Sequence, residues 1–135
     1  MRLVGVEAAS SPAMSSALGG HSLDRSCAVT IADGIAGGIE PGSVTVKLAR
    51  ARVDHIVQVE EDEIAAAIAF LATEHGLVAE GAGAVGAAAL LGGHVRPTGT
   101  TIALLSGRNI SLVLLAAVLA ASTDKAPSAR PRAAW

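Results

Sequence analysis

Val78-Ala79-Glu80-Gly81-Ala82-Gly83-Ala84-Val85-Gly86-Ala87-Ala88-Ala89-Leu90-Leu91 leads through Gly92-Gly93-His94-Val95-Arg96-Pro97-Thr98-Gly99-Thr100 into Thr101-Ile102-Ala103-Leu104-Leu105-Ser106-Gly107-Arg108-Asn109. An acidic residue ends a short apolar run and opens a helix of small residues. A second apolar run, reading as a buried strand, then finishes in Ser-Gly-x-Asn. Strand, helix and strand in this order predict an α/β unit, and in such units pockets form beyond the carboxyl ends of the strands.

Gly81-Ala82-Gly83-Ala84-Val85-Gly86 also satisfies the G-x-G-x-x-G pattern of dinucleotide-binding folds. That mechanism needs a carboxylate about 20 residues further on to hold the ribose hydroxyls. Between Glu80 and Asp124 there is no Asp or Glu. The glycines are therefore read first as small residues that let a helix pack closely on a sheet, with dinucleotide binding kept as an alternative.

Other pieces stand upstream in a fixed order: Thr30-Ile31-Ala32-Asp33-Gly34-Ile35-Ala36, Pro41-Gly42, Val53-Asp54, and Val59-Glu60-Glu61-Asp62-Glu63-Ile64-Ala65. Together with Glu80-Gly81-Ala82-Gly83-Ala84 and Leu105-Ser106-Gly107-Arg108-Asn109, this series resembles the serine/threonine dehydratases. These are pyridoxal-phosphate enzymes of fold type II. The resemblance runs from about Arg2 to Leu119, and the ordered series is far more specific than any one piece. It implies an α/β fold, a partial parallel sheet with flanking helices that forms the C-terminal portion of a catalytic domain over residues 1–121. Residues 122–135, with Pro127 and Pro131 among Ser, Arg and Ala, read as a disordered tail.

The resemblance also implies site roles. Such an enzyme needs a lysine for the Schiff base, donors for the phosphate and a partner for the pyridine nitrogen, while pyridoxal 5'-phosphate is the electron sink. Ser106 is implied as the hydroxyl partner of the ring nitrogen, Gly107 as the residue that lets the ring approach the backbone, and Glu80 as a lining carboxylate of the cofactor pocket. Read from position alone, Glu80 is equally a helix-start carboxylate. Arg108 departs from the Ser-Gly-Gly-Asn of the family.

Two further requirements are not met. The lysines are Lys47 and Lys125, and neither has the Ser-x-Lys-x-Arg-Gly surroundings the family uses. The glycine run that wraps the phosphate is also missing. No catalytic residue is therefore assigned, and the chain alone is expected to be inactive. The lysine, the phosphate cup and half of the sheet are expected upstream of Met1, in a missing N-terminal half of the domain. A homo-oligomer and a non-catalytic partner subunit are the other expectations. The substrate class implied is a small hydroxy amino acid.

Some relatives hold a divalent cation with a carboxylate at the Glu7 position and another six residues on. Here that second residue is Ala13. A hard cation wants several oxygen ligands, so no metal is expected, and Glu7 reads as a strand-end surface acid. His21, His55, His75 and His94 lack metal-ligand spacing and are assigned to surface and helix-end positions.

Composition bounds the rest. In 135 residues, 51% are hydrophobic, yet Phe70 and Trp135 are the only aromatics, so close-packed small residues must supply the core. A formal charge of −2 and the want of stacking platforms argue against nucleic acid. Cys27 is the only cysteine, which permits no internal disulfide and fits a cytoplasmic location. The apolar stretch Ile110 to Ala121 is about twelve residues where a bilayer span needs about 20, and reads as a buried helix rather than a membrane anchor.

The remaining expectations are local. Strands are expected at Arg2 to Glu7 and Val53 to Val59, and a short helix at Ala13 to Leu18. A helix start is expected at Val29 to Gly37 with Thr30 as cap, and a strand or extended arm at Ser43 to Leu48. Ile64, Ala67, Ile68 and Leu71 predict a helix stopped by Gly76, with Glu60 to Glu63 as charges favoured by its dipole.

Overall fold

The structure, a computed structural model, describes residues 1–20, 29–40 and 42–124. In chain order it has β1 (Val4–Ala8), α1 (Ala13–Leu18), a 3₁₀ turn (Asp33–Ile35), α2 (Val44–Arg52), β2 (His55–Val59), α3 (Glu61–His75), α4 (Gly81–Leu91) and α5 (Leu112–Asp124). β1 and β2 pair in parallel, with Val4 opposite His55 and Ala8 opposite Val59. A parallel pair needs a crossover, and here α1 and α2 lie between its strands in the chain.

The core lies where α3 packs against α4 and α4 packs against the sheet. Ala8, Val59, Ile64, Ala67, Ile68, Ala84 and Ala88 are fully buried there. Each buried Ile contributes about 1.5–3 kcal/mol, and the alanines of α4 contribute mainly by letting backbones approach. α3 has every expected local device. Glu63 accepts from the Glu60 N–H at 2.8 Å, in a capping box. At the other end Gly76 adopts φ 65°, and the Leu77 N–H reaches the Leu71 carbonyl at 2.9 Å.

Several sequence expectations are corrected. Ser43 to Leu48 is not an extended arm: α2 begins at Val44 because the Ser43 hydroxyl accepts from the Thr45 N–H at 3.3 Å. The strong helix formers Lys47 to Arg52 then outvote the brief Val44/Val46 alternation, and Arg50 and Arg52 suit the carboxyl end of its dipole. The helix expected from Val29 shrinks to one 3₁₀ turn. Thr30 caps only Ala32, at 3.0 Å, and Ala36, extended at φ −77° and ψ 144°, ends the turn. Glu7 is not a surface acid. It is 7% exposed and accepts from the Met14 N–H at 3.0 Å, the Ser15 N–H at 3.5 Å and the Gln58 amide at 3.4 Å. It thereby supplies α1 with the capping oxygen that Pro12 lacks.

Thr101 to Leu105 forms no strand, and Ile102 and Leu104 stand 89% and 78% exposed. A strand needs a neighbour for its backbone groups, and among the described residues this segment has none. α5 is not a buried helix either. It leans on α3, with Val118 buried and Leu112 and Val113 each 82% exposed. It runs to Asp124, and the Ser122 and Thr123 hydroxyls bond back to the Leu119 and Ala120 carbonyls. His55 is half-buried on β2 rather than at a surface or helix end, with its Nε2 3.1 Å from an Arg2 guanidinium nitrogen. His21, Cys27 and tail residues 125–135 lie outside the described residues.

Candidate functional site

The first turn of α4 is where the sequence-predicted site residues meet. Glu80 is its N-cap residue, with extended φ −79° and ψ 166°, and its side chain caps nothing. The carboxylate instead lies across the Cα of Gly107, so closely that a methyl group there would run into it. The Glu80 N–H donates to the Gly107 carbonyl at 3.1 Å, which pins the end of the Thr101–Gly107 segment to the start of α4. One turn on, a methyl at Gly83 would lie 2.7 Å from the Gly107 carbonyl oxygen. Gly81 and Gly83 are thus small because backbone comes against both, Ile31 on one side and Gly107 on the other. Gly86 has more room.

Ser106, next to this pinned glycine, is exposed. Arg108 is accommodated without strain, since no described non-glycine residue has positive φ. The structure therefore brings Glu80 and Gly107 into contact and sets Ser106 beside them.

A second group of residues at this edge was not apparent from the sequence. Glu61, in the first turn of α3, accepts from the Ser10 hydroxyl at 2.7 Å and from the Ile31 N–H at 2.8 Å. Burial works against its ionised form, but these bonds and one from the Thr30 hydroxyl outweigh it and hold its carboxyl below the ordinary range. Spacing showed Glu61 as a helix-start charge, and nothing local marked Ser10 or Thr30 as its partners. Glu63 likewise reaches beyond its helix, to His94 at 2.7 Å. Its carboxyl is lowered first by the Glu60 N–H, against a smaller opposing effect of burial, with His94 adding to the lowering.

A groove of about 350 Å³ lies elsewhere, lined by Ser15, Leu18, Arg50, Asp54, His55 and Ile56 at the amino end of β2. It is at the wrong end of the strand for an α/β ligand site. Among the described residues no group of three or more His, Cys, Asp or Glu is placed to hold a metal ion, and no helix is long and apolar enough to cross a membrane.

Pyridoxal phosphate fits one side of this arrangement. A ring could meet the exposed Ser106, while the space beside the Gly107 Cα is taken by the Glu80 carboxylate. Among the described residues the covalent anchor does not fit: Lys47 is exposed on α2, a helix packed with α1, and Lys125 lies outside the described residues. Gly81, Gly83 and Gly107 are already in close contact with protein groups and so form no phosphate cup among the described residues.

Known proteins similar to this chain share one family. Residues 1–107 match the family model described as pyridoxal-phosphate dependent enzyme. The L-threonine ammonia-lyase of Geobacter sulfurreducens is 42% identical over 121 residues, covering 88% of this chain and 30% of that protein. A crystal structure of threonine deaminase from T.th. superposes with a TM-score of 0.72 at 32% identity, over 82% of this chain and 41% of that one. The processed form of threonine deaminase isoform 2 from Solanum lycopersicum gives 0.74 at 31%, over 87% and 35%. The chain thus spans about 30% of the length of the curated relative it matches, and these likenesses do not favour a dinucleotide-binding protein. With motifs, fold and relatives in agreement, the chain belongs to the pyridoxal-phosphate dependent enzyme family and has the α/β fold of the fold-type-II threonine deaminases.

Proposed function

We propose that this chain supplies the ring-facing wall of a threonine or serine dehydratase site, for deamination of a hydroxy amino acid to a 2-oxo acid and ammonia. The observation that supports this reading is the pinning of Gly107 onto Glu80 and Gly83, which leaves the Ser106 hydroxyl open beside it. Bound pyridoxal phosphate would supply the electron sink. Ser106 would hydrogen-bond the pyridine nitrogen as a neutral partner, Gly107 would admit the ring, and Glu80 would line the pocket.

The lysine and the phosphate cup would come from the remainder of the catalytic domain, working with this chain in the cytoplasm. The single cysteine suits that compartment. The bare Thr101–Leu105 segment favours such complementation over a self-sufficient chain, because Ile102 and Leu104 face solvent where a neighbouring strand could bury them. A homo-oligomer would cover the same residues without adding a suitably placed lysine.

The test is to purify the chain with pyridoxal phosphate and threonine, alone and with a separately expressed lysine-bearing N-terminal half of a threonine ammonia-lyase. Ammonia is expected only from the mixture, together with a visible Schiff-base band that borohydride removes. Ammonia from the chain alone, or none from a mixture that forms a complex, would refute the proposal.

A further inference from the structure

The Thr30–Ile35 segment lies against the face of the α4 first turn that Gly107 does not occupy. Gly81 abuts the Ile31 carbonyl, and a methyl at Gly34 would lie 3.1 Å from the Ala82 Cβ. Within the segment, Ala32 is fully buried in the core and Ile31 packs against it. The segment's own bonds are the Thr30 hydroxyl to the Ala32 N–H and two turn bonds, Ile35 N–H to the Ala32 carbonyl and Ala36 N–H to that of Asp33. Ile35 is exposed and contributes little burial. A charged tie comes from α3. The Glu61 carboxylate, fixed on α3, accepts from the Ile31 N–H at 2.8 Å through one oxygen and from the Ser10 hydroxyl at 2.7 Å through the other. One side chain therefore joins the exit of β1, the start of α3 and the strap over α4.

We infer that Glu61 is a positioning residue, a clasp that holds the Thr30–Ile35 strap as the second wall of the site opposite Ser106 and Gly107. The assignment of that second wall to the ligand rests on the dehydratase reading; the clasp itself does not. A charged acceptor suits the task, because bonds to an ionised carboxylate are about twice as strong as neutral ones. If Glu61 served only as a helix-start charge, its removal would loosen the first turn of α3 and leave the strap unchanged.

Amide hydrogen exchange on the full chain without cofactor separates these roles. In Glu61→Ala, exchange at Ile31, Ile35 and Ala36 should quicken by about tenfold or more, while Ile64, bonded within α3 to Glu60, keeps its protection. Glu61→Gln, which retains one acceptor oxygen, should restore part of the protection. Ser10→Ala removes one arm, and serves if Glu61→Ala does not fold; it should give a smaller increase at the same amides. Unchanged strap exchange in whichever variants fold, or loosening confined to α3, would overturn the clasp. Because no cofactor is present, this result stands apart from that of the ammonia assay.

Discussion

Gly83 and Gly107 face each other across the same few ångströms but tolerate change differently. A Cβ at Gly83 would meet the backbone of residue 107, at 2.7 Å from its oxygen and 3.0 Å from its nitrogen, and backbone cannot step aside. A Cβ at Gly107 would meet the carboxylate of Glu80, the far end of a side chain that can swing away. Gly83→Ala should therefore destabilise the chain by about 1–3 kcal/mol in urea denaturation. Gly107→Ala should lose less, and less again in a Glu80→Ala background, which a double-mutant cycle would register. An equal loss in both single variants would contradict this geometry.

Glu61 and Glu63 give a pH dependence whose sign follows from their lowered folded values. A carboxyl titrating lower when folded than when unfolded stabilises the fold above the ordinary value of 4.5. That contribution is lost as pH falls through the lower folded value. The urea midpoint of the wild type should thus fall as pH drops below 4.5, and more steeply than that of Glu61→Gln, where one titrating group is gone. Parallel curves would remove Glu61 from the account.

At the scale of elements, α3 is the part that local chemistry specifies most fully. Its cap, its apolar stripe and its Gly76 stop agree with one another and with the core it builds. Ile68 is fully buried in the core that this helix shares with α4. Ile68→Ala should cost about 2–5 kcal/mol, depending on how far the small residues around it collapse into the space. Circular dichroism during thermal unfolding would show the loss, and a midpoint within a degree or so of wild type would place the core elsewhere. α2 shows the limit of pattern reading. Two alternating valines suggested a strand, but a serine cap and six good helix formers carry more free energy than two positions of alternation.

At the scale of the whole molecule, apolar surface lies along one stretch of backbone without a partner. Ile102, Leu104, Leu112 and Val113 are far more exposed than their composition would favour in a self-contained domain. If the remainder of a catalytic domain pairs there, Leu104→Asp should abolish ammonia release by the complemented mixture. It should leave the stability of the isolated chain within about 0.5 kcal/mol of wild type, since surface changes rarely do more. Full activity in that variant would show that the segment is not a docking edge.

The ordered motifs from Thr30 to Asn109 were enough to indicate the α/β class and the family, because each depends on residue type and spacing along the chain. The helices α1, α3 and α4 and the strands β1 and β2 were legible for the same reason: caps, stops and apolar periods are local. The three-way bond of Glu61, the burial of Glu7 beneath α1 and the contact of Glu80 with Gly107 join residues 7 to 51 positions apart. The bare course of Thr101–Leu105 likewise turned on the lack of a neighbouring strand among the described residues. These features were decided only by tertiary structure, since a carboxylate's partner and a strand's neighbour are fixed by how the chain folds back in space.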